Sequence, residues 1–193
     1  MNNDESNLIK LQLISFTSDI TALKPNDVFD KFLQVHTPQI LKHSDKRLSF
    51  LWKHNKEEIK VMIYTITELN RDYNGINDVV CYFVFIHNIE TDVNSVNDII
   101  TYIHNNCDRS RKVFIICDKN EMNVQHAEQQ LHDKLKPYGW NYQIKIVNVN
   151  EDKQLIAQFI MQTFDQCKLQ LEKESENEME TKDDGQSKSC TVI

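Results

Sequence analysis

The chain has 193 residues, of which 40% are hydrophobic and 26% charged, and its formal net charge is −7. That length and apolar share suit one domain with an extra segment. The acidic balance and the absence of a Lys/Arg cluster disfavour a nucleic-acid partner and a polybasic membrane-surface patch, because both need a basic face that neutralises phosphate.

The opening "MNNDESNLIK" is polar and acidic, with no apolar stretch of the kind a secretory leader carries. Residues 8–16, "LIKLQLISF", alternate apolar and polar and are expected to form a strand. "KPNDVFDKFLQ" then reads as a helix opening near Pro25, with Val28, Phe29 and Phe32 on one face. "RLSFLWKHNKEEIKVMIYTI" reads as two alternating strands joined at "HNKE", hence a hairpin. "DVVCYFVFI" is apolar throughout, as expected of a strand covered on both faces. It is also too short to span a membrane.

"TDVNSVNDIITYIHNN" places Val93, Val96, Ile99, Ile100 and Ile103 at helical spacing, with Thr91 as N-cap. "RKVFIIC" is a second buried strand. "NVQHAEQQLHDKLKPYGW" is a helix stopped by Pro137, with Gly139 in the exit turn. "NYQIKIVNV" is the last strand. From about Glu151 a long helix runs through Leu155, Phe159, Ile160 and Phe164. Alternating strands and helices over residues 8–170 predict an α/β domain: a six-stranded, mostly parallel sheet with helices on both faces. Residues 172–184 hold seven Asp/Glu against two Lys and almost nothing apolar. Composition therefore predicts an acidic, disordered tail over 171–193.

Five cysteines stand at 81, 107, 117, 167 and 190, with no CxxC spacing, which points to a reducing compartment without a disulfide framework. The seven histidines are scattered, and His126 and His132, six apart, do not share a helix face. No metal site is expected from this pattern. Motifs such as GxSxG, HExxH, GxGxxG and the EF-hand loop are absent from the sequence. Accordingly no catalytic residue is assigned.

The order of elements and three local strings resemble the Ras superfamily of small GTPases. "RDYNGINDVVCYFVFIHNIETDVNSVNDIITYI" is similar to the stretch after the family's second switch. "VFIICDKNEM" is similar to the strand ending in the guanine motif NKxD, with Asp118 for Asn, Lys119 kept and Glu121 for Asp. "CTVI" resembles a CaaX box. The resemblance implies a small-GTPase-like fold with strand order 2-3-1-4-5-6, and GTP or GDP with Mg²⁺ as ligand in an active member.

The phosphate chemistry of that family has no counterpart here. A phosphate loop needs glycines for close backbone approach, a Lys for the outer phosphates and a Ser/Thr for Mg²⁺. "SFTSDITALKPND" contains no glycine, and the chain's three glycines are at 75, 139 and 185. Lys24 is followed by Pro25, and Thr21 has no Lys before it. The DxxG position reads "YTITELNR". The first switch shortens to "VHTPQILKHSDK", in which Thr37 reads either as the switch threonine or as part of a plain turn. At the base corner, Glu121 is able to accept from guanine and Lys119 to cover the ring; the alternative is that Asp118, Lys119 and Glu121 form an ordinary polar turn.

Cys190 is the expected prenyl acceptor, and Ile193, near Leu in size, favours geranylgeranyl. One lipid beside an acidic tail implies weak, exchanging membrane association or capture by a prenyl-binding carrier after a prenyltransferase has acted. The expected protein is thus cytoplasmic and partly membrane-associated on the cytosolic face. It is expected to be a non-catalytic adaptor for protein partners in signalling or vesicle traffic, with no cofactor. The alternative is a divergent but active GTPase that binds and hydrolyses GTP. "RLSFLW" offers Leu48, Phe50 and Trp52 as a partner surface, or equally as cover for the core.

Overall fold

A computed structural model describes residues 8–17, 24–66, 78–86, 93–108, 110–118, 124–139, 142–147 and 153–184. In chain order they form β1 (Ile9–Thr17), α1 (Pro25–His36), β2 (Gln39–Ser44), β3 (Arg47–His54), β4 (Glu57–Ile66), β5 (Val79–Ile86), α2 (Val93–Asn106), β6 (Lys112–Asp118), α3 (Val124–Leu135), β7 (Tyr142–Val147) and α4 (Lys153–Asp184). The described residues form an α/β fold, with four α-helices and one seven-stranded, mixed sheet ordered β2-β3-β4-β1-β5-β6-β7. The pairs β4–β1, β1–β5, β5–β6 and β6–β7 are parallel. The pairs β2–β3 and β3–β4 are antiparallel.

The sheet has seven strands where the sequence pattern predicted six. The additional one, β2, lies in the segment read as a shortened switch. Thr37 ends α1 in the left-handed region at φ 42°, its N–H donating to Leu33 O at 2.9 Å. The chain then turns through Pro38 into β2, which pairs with β3 from Gln39↔Leu51 to Ser44↔Arg47. Thr37 therefore acts as a helix terminator. β2 is exposed along almost its whole length, so it carries no apolar/polar alternation for a sequence pattern to detect.

Each face of the sheet has its own core. On one, Val28, Phe29, Phe32 and Leu33 of α1 and Ile156, Phe159, Ile160 and Phe164 of α4 cover the central strands. On the other, Ile99, Ile100 and Ile103 of α2 and Leu131 and Leu135 of α3 pack on Phe16, Val84 and Ile115. β5 faces both cores, which accounts for its unbroken apolar run. α1 opens with Pro25 in its first turn, and the Lys24 N–H donates to the Asp27 carboxylate at 3.3 Å. α3 stops at a 3-10 turn, Lys136–Tyr138, closed by Gly139 at φ 63°, where a side chain would be strained.

Over residues 171–184, the first part of the expected disordered tail, α4 continues as helix; residues 185–193 lie outside the described residues. The whole helix, Lys153–Asp184, has 32 residues. Side chains on successive turns support the extension. The Lys168 ammonium lies 3.4 Å from Glu172, Gln170 donates to Glu174 at 3.0 Å, and the Ser175 hydroxyl bonds Leu171 O at 3.0 Å. Tertiary pairs also fasten it, Lys168 to Glu57 at the start of β4 and Arg111 to Glu174 just before β6. Low hydrophobicity signalled disorder, but this stretch is rich in helix-forming Glu and Lys, and its first turns have local and tertiary partners.

Candidate functional site

The parallel strands β4, β1, β5, β6 and β7 end together at one edge of the sheet, at Ile66, Thr17, Ile86, Asp118 and Val147. β1 lies between β4 and β5, so successive chain connections leave to opposite sides there. In open α/β sheets the crevice outside the carboxyl ends at such a reversal is the usual ligand position. This edge is the candidate site.

Two polar groups are buried at or near it. Ser15 is fully buried, and its hydroxyl donates to Thr65 Oγ1 at 3.1 Å, joining β1 to β4. Asp118, 8% exposed, closes β6, and the Cys117 thiol donates to its carbonyl at 3.6 Å. Ser15 and Thr65 escaped the sequence reading because each looks like an ordinary polar residue in an alternating strand. Their pairing depends on the parallel register Ser15↔Thr65. Lys119 and Glu121, the other members of the base corner, lie outside the described residues, as does Cys190. So do residues 18–23, where a phosphate loop would sit.

Leu48, Phe50 and Trp52 do not form a surface. They are 1%, 0% and 3% exposed and belong to the core beneath α1 and α4. Phe32 meets Phe50 with ring centroids 5.6 Å apart and Trp52 at 5.3 Å. Their strand is not at the sheet edge, because β2 covers it. The exposed apolar residues of this region are instead Ile40 and Leu41 on β2, at 51% and 45%. A register irregularity between Ile40 and Lys42 turns that short stretch out of the regular ladder.

Where the apolar face of β3 meets the end of α1 and the middle of α4 lies a group that sequence reading missed. Trp52 stacks on His54 with centroids 4.5 Å apart and planes 21° apart. It meets His36 edge-on at 6.1 Å. His36 also packs on Phe32 one helical turn earlier, at 4.6 Å. His54 Nε2 lies 3.3 Å from Asp165 Oδ1 on α4. Burial first, and then the facing His54, hold His36 below its ordinary value. The sequence signal was the spacing i, i+2 of Trp52 and His54 and i, i+4 of Phe32 and His36; nothing local joins the two pairs.

Burial pushes the Cys107 thiol up to about 11 and raises Cys81 well above the ordinary thiol value. Neither thiol is poised as a nucleophile at neutral pH. Among the described residues no cluster of three or more His, Cys, Asp or Glu has metal-binding geometry. No helix among them is long and apolar enough to cross a membrane. No protein-family model matches the chain, and no curated protein matches it in sequence.

Proposed function

We propose that this chain is a small-GTPase-like adaptor without nucleotide chemistry, which binds protein partners and associates reversibly with membrane through a prenyl group on Cys190. The observation that carries the reading is the sheet. Leaving β2 aside, its strands run β3-β4-β1-β5-β6-β7, with β3 antiparallel and the rest parallel. That is the 2-3-1-4-5-6 order implied by the resemblance. The loss of phosphate chemistry rests on the sequence. Residues 18–23, "SDITAL", follow β1 and contain neither glycine nor a Lys–Ser/Thr pair.

In this reading the partner-binding region is the β2 edge. It presents Ile40 and Leu41 beside the unpaired backbone groups of an edge strand. α4 passes the amino ends of β4 and β6, so the chain leaves the body on the side away from the carboxyl edge.

The decisive experiment is nucleotide content together with thermal response. Purified protein is denatured and its supernatant assayed for guanine nucleotide, and melting is recorded with GTP and Mg²⁺. The adaptor reading requires no released nucleotide and no Mg²⁺-dependent rise in melting temperature at millimolar GTP. A ligand specific for the folded state must raise it. A Mg²⁺-dependent rise overturns this reading in favour of a divergent GTPase.

A further inference from the structure

We propose that His36, Trp52, His54 and Asp165 form an acid-operated latch that holds the end of α1, and with it the start of β2, against β3 and α4. The four side chains come from three elements: His36 from the last turn of α1, Trp52 and His54 from β3, and Asp165 from the middle of α4. Trp52, 3% exposed, is the common contact. Its ring touches both imidazoles and also meets Phe164 of α4 at 5.9 Å.

The two histidines are not equivalent. His54 Nε2 has a carboxylate oxygen, Asp165 Oδ1, 3.3 Å away. His36 has no ion pair among the described residues and lies half-buried against Phe32 and Trp52. The carbonyls at the end of α1 favour a cation on His36. Burial and the charge of His54 oppose it and prevail, so the folded chain prefers the neutral ring. Among the described residues none of the other ionisable groups on the surrounding elements forms an ion pair with His36. Lys53 and His54 are on β3, Glu57 and Glu58 on β4, and Asp165, Lys168 and Glu172 on α4. Glu57 and Glu172 are taken by Lys168. Asp30 of α1 is bonded to His43 of β2 at 2.9 Å.

Only Thr37 and Pro38 separate α1 from β2. Proton uptake at His36 places a cation against the Trp52 ring, and the strain falls on this two-residue corner. Acid therefore loosens the junction from which β2 begins, while α2 and α3 on the opposite face are untouched. The direction follows from linkage. A histidine whose folded pKa lies below its unfolded value of 6.5 contributes stability above 6.5, and that contribution is lost as pH falls through the folded value. The latch concerns the conformation of the β2 edge and holds whether or not that edge binds the partners proposed above.

The test uses the full chain with Trp140→Phe, which leaves Trp52 as the single tryptophan. Imidazole resonances are titrated by NMR from about pH 8 to about pH 5, with Trp52 emission and amide exchange recorded in parallel. The expected midpoint of His36 is below 6.5. His54→Gln moves that midpoint upward, because the facing charge is gone. His36→Gln removes the matching change in Trp52 emission. Amides of residues 33–44, after correction for intrinsic exchange, lose protection on acidification more than those of α2. A His36 midpoint at or above 6.5, an unmoved midpoint in His54→Gln, or uniform loss of protection overturns the proposal. The titration of the His36 ring in the parent chain decides the first point even where a variant folds poorly.

Discussion

Phe32 of α1 and Phe164 of α4 meet edge to face, with ring centroids 5.2 Å apart and planes 78° apart. Both are fully buried, and the contact joins the two helices that cover one face of the sheet. Phe32 also reaches Phe50, Trp52 and His36, so it is shared between α1, β3 and α4. Truncating a buried Phe removes its transfer free energy and leaves a cavity, at a cost of about 3–5 kcal/mol. Phe32→Ala is expected to remove a large part of a typical domain's stability. Urea denaturation followed by circular dichroism measures it. A loss under about 1 kcal/mol would mean that the helix pair repacks freely.

The β3–β4 hairpin turns through Asn55 and Lys56, which have φ of 50° and 71°. Two consecutive left-handed residues in a two-residue loop mark a type I′ turn, which matches the twist of the flanking strands. Asn tolerates that region, whereas Lys at the second position is strained. Lys56→Gly creates the preferred Asn-Gly pair and is expected to stabilise the protein by about 1 kcal/mol. For a chain of this size that raises the melting temperature by about 2–4 °C. A drop in melting temperature would instead show that the Lys56 side chain makes a compensating contact.

This hairpin was legible in the sequence because two alternating runs flank "HNKE", and Trp52↔Ile59 pairing puts both apolar sets on one face. The same alternation could not say what covers that face. Leu48, Phe50 and Trp52 suit a binding surface equally until α1 and α4 are seen above them. β2 was invisible because an exposed edge strand has no face to mark. The helical stretch 171–184 was obscured by its acidity, since composition reports the missing core contacts and omits partners such as Arg111, 63 residues away. The histidine latch was the least legible feature. His36 and His54 belong to different elements, and only the packing of α1 on β3 brings both to Trp52. At the carboxyl edge, Asp118 could be followed into the structure, while Lys119 and Glu121 lie outside the described residues.

The lipid reading predicts a specific change at Cys190. Protein from a eukaryotic host should carry a C-terminal peptide whose mass includes one prenyl chain, and Cys190→Ser should lack it. One chain gives only marginal membrane binding, and the acidic segment before it is repelled by anionic lipid. The parent protein should therefore divide between membrane and supernatant, and Cys190→Ser should be found in the supernatant. Unmodified Cys190 in the parent protein removes the lipid from the proposed function and leaves the fold argument intact.

Acid should also release the far part of α4, through a different group. The Arg111 guanidinium, first by its hydrogen bond, holds the Glu174 carboxyl below its ordinary value of 4.5. The contribution is therefore complete above 4.5 and is lost as pH falls through the lower folded value. Glu174 is 41% exposed, so solvent screening limits the pair to about 1 kcal/mol or less. Glu174→Gln is expected to lower the melting temperature slightly near neutrality, and the difference from the parent should vanish in acid. This window lies below the one predicted for His36, whose effect begins at 6.5. Recording helicity and Trp52 emission along one pH titration separates the two events. Emission should change first, as the α1–β2 corner loosens, and helicity should fall later, as α4 loses its hold at Arg111. If the two signals moved together, the His36 group and the α4 strap would belong to one cooperative unit and the separate-latch argument would fail.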